Sequence, residues 1–241
     1  MAEADPNRRD AIGVKNMFAR VAPVYDTVNR AMCFGLDILW RRKLARALSS
    51  SPDGEGLIFA DIACGSGDVC IEIARRFPKA KIVGLDFCGP MLELAKKKAE
   101  KFGANAGFAE ADCENLPFPD NAFDGATIAF GFRNFRDRPA CLREIARVLK
   151  SGARLAVLEV AKAPRITRAA QNFFMRKFVP TAAAVLGGNK KDYEYLAETT
   201  MSYPSAAEIE KMFADAGFEN AKTRPFAFGL VAITSGEKKG V

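Results

Sequence analysis

A glycine turn that follows an apolar run is the first feature of the sequence that could bind a ligand. The run 57–60 leads into Asp61, and Gly65, Ser66 and Gly67 follow before a helical pattern begins. The first backbone N–H groups of a helix have no partner within the helix, and glycine allows a ligand to approach them closely. We therefore predict that Asp61 and the three turn residues bind a ligand.

An acidic residue follows the next predicted strand, at a spacing that favours a nucleotide-like ligand. The stretch 80–85 is mostly apolar and is followed by Asp86, which lies 21 residues after Gly65. In nucleotide-binding α/β folds, a carboxylate about 20 residues after the first glycine accepts hydrogen bonds from the ribose. The sequence therefore predicts that Asp86 binds a ribose, with Phe87 and Met91 in the same site.

The residues around the turn indicate which ligand of this class binds. A dinucleotide fingerprint, G-x-G-x-x-G, would place its third glycine at position 70, where this chain has Cys70. The Asp61 carboxylate would attract a cation and repel a pyrophosphate. S-adenosylmethionine carries a sulfonium and an ammonium but no phosphate, so its charge fits the turn better than that of NAD. We therefore predict S-adenosylmethionine as the cofactor.

Two residues after the third predicted strand complete the predicted cofactor site. Asp112 and Cys113 lie where the strand order would place the adenine of such a ligand. The Asp112 carboxylate could accept a hydrogen bond from the exocyclic amine, while the backbone N–H of Cys113 approaches a ring nitrogen. The alternative is that Asp112 is an ordinary acidic residue of a loop.

The chain contains no histidine, and this limits the chemistry that it can perform. Histidine is the commonest general base and a frequent zinc ligand. Its absence excludes Ser-His and Cys-His nucleophile pairs. We therefore predict a site without a metal, in which Asp, Glu, Tyr, Lys, Cys or water moves protons.

The charge and the cysteines indicate the partners and the compartment. The net charge of +7 favours an anionic partner such as nucleic acid or a membrane surface, and a solvated basic surface is the alternative. None of the six cysteines forms a Cys-x-x-Cys pair, and the polar N-terminus carries no secretory leader. These features predict reduced thiols and a cytoplasmic protein.

Strands that alternate with helices dominate the chain after residue 56. The predicted strands are 57–62, 80–85, 105–110, 123–130, 153–160, 218–224 and 226–234. The predicted helices are 67–77, 89–102, 137–149 and 203–218, the last with a capping box of Ser205 and Glu208. This alternation predicts an α/β fold with a mostly parallel sheet that helices cover on both faces.

The segments outside this alternation divide the chain into three predicted parts. Residues 1–13 are predicted to form a flexible tail. Residues 14–56 form an N-terminal helical cap, interrupted at Pro23 and near Gly35, and a polar linker. Residues 57–241 form the main domain, which contains a helical insertion at 164–203.

Several short stretches, spread over residues 14–235, carry a resemblance to a known enzyme family. They are FARVAPVYDTVNRAMCFGLDILWRR, DIACGSGD, GLDFCGPMLELAKKK, ENLPFPDNAFD, FGFRNFRD, EIARVLKSGARLAVLEVAKA and YEYLAETTMSYPSAAEIEKMFADAGF. In this order they resemble the S-adenosylmethionine-dependent C-methyltransferases of menaquinone and ubiquinone biosynthesis. The glycine turn is general to class I methyltransferases, whereas the FGFRNF block is far more specific.

The resemblance implies a fold, a reaction and cofactor contacts. The fold is a Rossmann-like three-layer sandwich around a seven-stranded sheet whose last strand is antiparallel. The reaction is methyl transfer to a ring carbon of a prenylated quinol, either demethylmenaquinol or a ubiquinone precursor; another small or lipid acceptor is the alternative. The implied contacts are Ser66, Asp86, Asp112, Cys113 and the backbone of Ala129, where the family has a serine.

Four residues are candidates for the chemical step that the resemblance implies. Deprotonation of a ring hydroxyl activates the carbon beside it, so the enzyme must stabilise a phenolate. Arg133 and Asn134 follow the fourth predicted strand and fit that role, unless Arg133 pairs with a surface acid such as Asp137. Tyr25 and Asp26 are the candidates for proton transfer, although Tyr25 could equally pack and Asp26 could cap a helix.

The insertion at 164–203 mixes apolar and basic residues, which suits a lid that contacts a lipid and anionic headgroups. A helix that completes the core is the alternative, and the stretch 39–46 raises the same two possibilities. The predicted partners are therefore the prenylated quinol, the anionic inner face of a membrane and a second copy in a homodimer, with no nucleic acid. The lid residues are Phe173, Phe174, Met175, Phe178, Val179 and Leu186, with Arg165, Arg168, Arg176, Lys177, Lys190 and Lys191.

Overall fold

The structure is a computed structural model that describes residues 11–162, 171, 173, 181, 195 and 198–240. Its helices are α1 (Ala11–Val21), α2 (Tyr25–Met32), α3 (Leu36–Arg46), α4 (Asp68–Arg76), α5 (Gly89–Phe102), α6 (Arg138–Val148) and α7 (Ala206–Asp215). Its strands are β1 (Ile58–Ile62), β2 (Lys81–Asp86), β3 (Ala106–Glu110), β4 (Phe123–Ala129), β5 (Leu149–Val160), β6 (Phe218–Phe226) and β7 (Val231–Lys238).

Within the described part of the chain, the seven strands form one sheet in the order β3-β2-β1-β4-β5-β7-β6. The strands from β3 to β5 pair in parallel, whereas β7 runs antiparallel to both β5 and β6. The predicted α/β fold, with a mostly parallel seven-stranded sheet and an antiparallel last strand, is confirmed. The strand order reverses between β1 and β4, and sheets of this kind bind ligands at the carboxyl ends of such strands.

Apolar side chains on both faces of the sheet hold the helices against it. One core lies between the sheet and the helices α6 and α7, where the Phe213 and Phe218 ring centroids are 5.3 Å apart. The other lies between the sheet and the helices α3 and α4, where the Phe59 and Phe77 centroids are 4.9 Å apart. Each buried phenylalanine stabilises the fold by about 1.5–3 kcal/mol. These two cores therefore fix the three layers.

The N-terminal helices pack on the start of α5 at the carboxyl edge of the sheet. Val21 and Val28 lie in a small core with Cys88 and Met91. The breaks between these helices lie where the sequence predicts them, at Pro23 and at residues 33–35. However, α1 includes residues 11–13, which the sequence analysis assigns to the tail.

The last strand differs from its predicted bounds of 226–234, because residues 227–229 form a short helical turn and β7 continues to Lys238. Gly236 lies against α7, where a Cβ would come within 3.1 Å of the Phe213 ring. Arg154 also forms an ion pair with Glu237 on the neighbouring strand. These long-range contacts keep residues 236–238 in the sheet, although the sequence predicts a tail there.

Most of the predicted lid lies outside the described residues. This is so for Phe174, Met175, Phe178, Val179 and Leu186, and for the six basic residues Arg165, Arg168, Arg176, Lys177, Lys190 and Lys191. Phe173 is described, and its side chain is exposed. The membrane-facing role of the lid therefore stays a prediction.

We predict that Gly84→Ala destabilises the fold, whereas Gly107→Ala on the neighbouring strand does not. A Cβ on Gly84 would lie 2.5 Å from Phe108 Cδ1 and 3.1 Å from Cys64 Sγ, but a Cβ on Gly107 meets no atom within 4 Å. Overpacking of this kind costs about 1–3 kcal/mol of unfolding free energy. Urea unfolding followed by circular dichroism measures the difference, and equal midpoints for the two variants would contradict it.

Candidate functional site

A cavity opens at the carboxyl edge of the sheet, between the ends of β1, β2 and β4 and the helices α1 and α2. It encloses about 910 Å³ of empty space, part of which is open to solvent. Its concave and mostly apolar walls suit a small organic ligand. Its lining residues are Val14, Phe18, Tyr25, Ile62, Ala63, Gly65, Leu85, Asp86, Phe87, Met91, Ala111, Asp112, Cys113, Glu114, Leu116, Ala129, Phe130, Gly131, Asn134, Phe135 and Arg136.

Asp86, the predicted ribose-binding residue, lies at the end of β2 in the cavity wall. Its Oδ2 accepts a hydrogen bond from the backbone N–H of Gly65 at 2.8 Å, and its Oδ1 accepts one from that of Cys88 at 2.9 Å. A carboxylate has about four lone-pair sites, so it can accept further hydrogen bonds from a ligand. Burial raises the pKa of Asp86 to about 6, while these backbone N–H groups limit the rise.

The turn after β1 adopts a backbone that the glycine pattern only partly predicts. Gly65 and Gly67 have φ values of 52° and 81°, and the non-glycine residue Ala63 has a φ of 54°. Phe130, which follows β4 on the other side of the cavity, has a φ of 57°. Left-handed backbone is costly for alanine and phenylalanine, and such residues cluster at functional sites. The sequence patterns did not predict the left-handed backbone of Ala63 or of Phe130.

The two loops that carry these residues touch each other. A Cβ on Gly131 would come within 2.7 Å of Ala63 Cβ. Only a glycine therefore allows the loop after β4 to approach the turn after β1 this closely. Gly131 belongs to the FGFRNF block, which was the one sequence signal for this contact.

Asp61, predicted to attract a cationic ligand, lies behind the cavity wall. It is 1% exposed, and its carboxylate accepts hydrogen bonds from Thr127 Oγ1 at 2.7 Å and from the Cys70 thiol at 3.4 Å. Burial raises the pKa of Asp61 to about 7, although these two hydrogen bonds oppose the rise. The structure does not bring this carboxylate to the cavity, so its contact with a ligand stays a prediction.

Ser66 and Asp26 lie together outside the cavity lining. Ser66 Oγ donates to Asp26 Oδ1 at 2.6 Å, and Lys98 Nζ lies 2.6 Å from Asp26 Oδ2 and 2.6 Å from Asp68 Oδ1. These contacts join α2 to α4 and α5. Asp26 therefore anchors the helix that carries Tyr25. Neither Asp26 nor Ser66 lines the cavity, so the catalytic role of Asp26 and the cofactor contact of Ser66 stay predictions.

Further ion pairs extend this anchor to α3. Arg41 pairs with Asp37, one helical turn before it, and both side chains are buried. Arg30 Nη2 lies 3.1 Å from Asp68 Oδ2 at the start of α4. Because Asp68 lies in the first turn of α4, its negative charge also stabilises the positive end of that helix. The N-terminal helices are thus held over the cavity by charge as well as by packing.

Arg133 and Asn134 have different surroundings, although they are adjacent. The Arg133 guanidinium pairs with Glu159, and both side chains are buried. The alternative pairing with Asp137 is wrong, because Asp137 instead caps α6 by accepting from the backbone N–H of Ala140 at 2.8 Å. Asn134 lines the cavity, and its Oδ1 is buried without a hydrogen-bond partner. An unpaired buried polar atom at a cavity wall indicates a ligand contact.

Tyr25 brings a phenol to the same side of the cavity as Asn134. Its ring meets that of Phe18 edge to face, with centroids 6.0 Å apart. Burial raises the pKa of Tyr25, and the nearby Arg133 and Arg41 only partly oppose this. Tyr25 is therefore a neutral phenol at pH 7 that can donate a hydrogen bond, which makes it unsuitable as a base.

The predicted adenine-binding residues lie on the opposite rim. Asp112 lines the cavity and accepts from the backbone N–H of Glu114 at 3.0 Å. Cys113 also lines the cavity, and its sulfur lies 2.7 Å from that of Cys141 on α6. Arg136 forms an ion pair with Glu114 at this rim. Sequence patterns did not single out this ion pair, since its two residues are 22 positions apart.

Phe87, Met91 and Ala129 also line the cavity, as the sequence predicts for a shared site. Among the described residues, no group of three or more Cys, Asp or Glu side chains could hold a metal ion. The site thus combines one buried carboxylate, apolar walls, a neutral phenol and an amide. Such a set can bind a ribose and stabilise an oxygen anion.

The comparisons with known proteins agree with this geometry. A relative from Thermus thermophilus, named demethylmenaquinone methyltransferase, is 40% identical, and the match covers 92% of this chain and all of that one. A relative from Geotalea daltonii, named ubiquinone/menaquinone biosynthesis C-methyltransferase UbiE, is 37% identical over 93% of this chain and 96% of that one. A solved SAM-dependent methyltransferase from Aquifex aeolicus has the same fold, with a TM-score of 0.59, 20% identity and coverage of 82% and 88%.

The sequence profile of one family matches nearly the whole chain, from residue 4 to residue 238. The match includes the turn after β1, the end of β2 and the FGFRNF block, which together build the cavity. The resemblance found in the sequence is therefore confirmed, and the chain belongs to the ubiE/COQ5 methyltransferase family.

Proposed function

We propose that this protein transfers a methyl group from S-adenosylmethionine to a ring carbon of a prenylated quinol, with demethylmenaquinol as the acceptor. The observation that carries this proposal is the 40% identity to a protein named demethylmenaquinone methyltransferase, over 92% of this chain and the whole of that one. A ubiquinone precursor is the second candidate acceptor, because the relative from Geotalea daltonii is named for both pathways.

The residues of the cavity fit the cofactor. Asp86 retains acceptor sites for two ribose hydroxyls, and Asp112 lies on the rim where an adenine amine can donate to it. The apolar wall that Phe87 and Met91 contribute suits the flat face of the base. Bound in this way, S-adenosylmethionine would supply the methyl group as an electrophilic carbon on its sulfonium.

In this proposal Tyr25 and Asn134 act on the acceptor. A ring carbon attacks the methyl group more readily when the adjacent hydroxyl has lost its proton, so charge develops on that oxygen. The proton passes to water, because part of the cavity is open to solvent. Tyr25 donates its phenolic hydrogen to that oxygen in a hydrogen bond. Asn134 lines the same cavity, and its unpaired Oδ1 accepts a hydrogen bond from the ring hydroxyl that keeps its proton. Arg133, neutralised by Glu159 behind this wall, positions the loop. A donor fixed in advance in an apolar cavity stabilises such an anion strongly.

We predict that the affinity for S-adenosylhomocysteine falls as the pH is lowered through the pKa of Asp86. Only the ionised carboxylate accepts two hydroxyl protons, and this pKa is about 6 in the free protein. Affinity should be constant above pH 7 and fall roughly tenfold between pH 6.5 and pH 5, as isothermal calorimetry can measure.

Two variants test whether the titration of Asp86 causes this pH dependence of the affinity. Asp86→Asn should bind more weakly and show no dependence on pH in this range. Asp61→Asn should keep the dependence, because Asp61 titrates in the same range but does not line the cavity. If Asp86→Asn retained the wild-type pH profile, Asp86 would not be the ribose-binding residue.

The function is tested by incubating the protein with S-adenosylmethionine and a chemically reduced, short-chain demethylmenaquinol, and by following the methylated product by mass spectrometry. We expect Tyr25→Phe to lower kcat about 100-fold, the loss typical of one oxyanion donor, with unchanged affinity for S-adenosylhomocysteine. Tyr203→Phe removes a hydroxyl outside the cavity lining and should keep full activity. No methylated naphthoquinol from the wild-type protein would reject the proposed acceptor.

We also propose that the protein reaches its acceptor at an anionic membrane surface. No helix in the described ranges is long and apolar enough to cross a membrane. However, Phe34, Leu36 and Leu39 are exposed, at 77%, 43% and 50%. Lys43 and Arg46 continue the same face of α3, because they lie at helical spacing from Leu36 and Leu39. We call these five residues the α3 surface; its apolar and cationic parts suit the headgroup layer.

Cosedimentation with vesicles tests the α3 surface. The wild-type protein should bind phosphatidylglycerol vesicles and not phosphatidylcholine vesicles, and Lys43→Glu/Arg46→Glu should lower binding roughly tenfold, since each basic residue near such a surface contributes about 1 kcal/mol. The control Lys97→Glu/Lys211→Glu changes the net charge equally at exposed positions elsewhere. Equal loss of binding in both double variants would show that only the total charge matters. The predicted homodimer stays a prediction.

A further inference from the structure

Two cysteines meet at the rim of the cofactor cavity, although 28 residues separate them in the sequence. Cys113 lies in the loop after β3 and lines the cavity, and Cys141 lies on α6 in the core beneath it. Their sulfur atoms are 2.7 Å apart. A disulfide requires about 2.05 Å, so a movement of about 0.7 Å would join them. The proposed methyl transfer uses neither thiol.

The two thiols differ in access. Cys113 is partly exposed, whereas Cys141 is fully buried. The hydrogen bond with Cys113 and burial raise the pKa of Cys141 far above its usual range. A thiol reacts with oxidants as its thiolate, and only an accessible thiolate can reach and attack a peroxide. Cys113 is therefore the thiol that reacts first, and Cys141 is placed to react with its product.

The neighbouring loop is already fixed in a position that favours the bond. The backbone N–H of Leu116 donates to Glu144 Oε1 on α6 at 2.7 Å. Arg147, also on α6, donates to the carbonyl oxygens of Leu116 and Phe118 at 3.1 and 2.9 Å. The loop and the helix are thus held together on the C-terminal side of Cys113. Closing the bond requires little backbone movement, which is the usual obstacle to a disulfide.

We propose that Cys113 and Cys141 form an oxidation site, in which a peroxide that enters the cofactor cavity converts the two thiols to a disulfide. The Cys113 thiolate attacks a peroxide oxygen, the O–O bond breaks, and a sulfenic acid and water result. The Cys141 sulfur then attacks the Cys113 sulfur, its thiol proton passes to the departing oxygen, the S–O bond breaks, and a second water leaves. In sum, two thiols and hydrogen peroxide give one disulfide and two waters.

Occupancy of the cavity controls this reaction. Cys113 is reached from the cavity that Asp86 and Asp112 also line, so a bound cofactor covers it. The protein is therefore oxidised when it is free of cofactor and protected when it is loaded. This second part rests on the proposed function, because it requires the cofactor to bind in this cavity.

Another close pair of cysteines provides an internal control. Cys64 and Cys70 are both buried, and Cys70 donates its thiol proton to Asp61. Neither residue lines the cavity. Both pKa values are raised, so these thiols are protonated. Their burial keeps oxidants away from them. Peroxide should therefore link Cys113 to Cys141 and leave Cys64 and Cys70 unlinked.

The experiment treats the reduced full-length protein with hydrogen peroxide, blocks free thiols with iodoacetamide and maps linked peptides by mass spectrometry. We expect a Cys113–Cys141 linkage and no Cys64–Cys70 linkage. S-adenosylhomocysteine at ten times its Kd should slow the linkage about tenfold, because it leaves about one protein in eleven free. In Cys141→Ser, Cys113 should accumulate as sulfenic or sulfinic acid, whereas Cys113→Ser should leave Cys141 reduced.

The outcomes separate this inference from the proposed function. Calorimetry on the same reduced sample shows whether S-adenosylhomocysteine binds. If it binds and the Cys113–Cys141 linkage forms at an unchanged rate, access through the cavity is rejected. If no linkage forms in the wild-type protein, or if Cys113→Ser leaves Cys141 equally oxidised, the oxidation site itself is rejected. If the ligand does not bind, the proposed function fails, and the linkage alone decides the oxidation site.

Discussion

The Asp86 carboxylate is the interaction on which the cavity depends. Its two oxygens accept from the backbone N–H groups of Gly65 and Cys88, so the turn after β1 and the start of α5 are both fixed to the end of β2. A buried carboxylate without these donors would pay the full cost of leaving water. The same group therefore builds the wall and keeps lone pairs available for a ligand in the cavity.

A network of ion pairs outside the sheet holds the N-terminal helices over the cavity. Lys98 lies between Asp26 and Asp68, which joins the helix that carries Tyr25 to the start of α4 and to the C-terminal half of α5. These side chains are only partly exposed, so water weakens their attraction less than at an open surface. The positions of the Tyr25 phenol and of the Asp86 carboxylate are consequently set by two different kinds of force, ion pairing and backbone hydrogen bonding.

The fold could be predicted from the sequence because its signals are local. Alternating apolar runs gave the strands of the parallel sheet, and the Ser205–Glu208 capping box is present as predicted at the start of α7. The last strand was placed wrongly, because the packing of Gly236 against α7 decides its end. In the site, spacing alone placed Asp86 at the cavity. It could not show that Arg133 is neutralised by Glu159, since that pairing depends on how β5 lies beside β4.

The contact between Gly131 and Ala63 has a mechanical consequence. With no room for a methyl group between them, the turn after β1 and the loop after β4 cannot shift independently. A movement of a few tenths of an ångström in one is passed to the other, and Asn134 lies three residues along that loop. Close-packed interiors transmit small displacements in this way. The two sides of the cavity therefore shift together, so that a ligand which displaces one side also changes the position of the other.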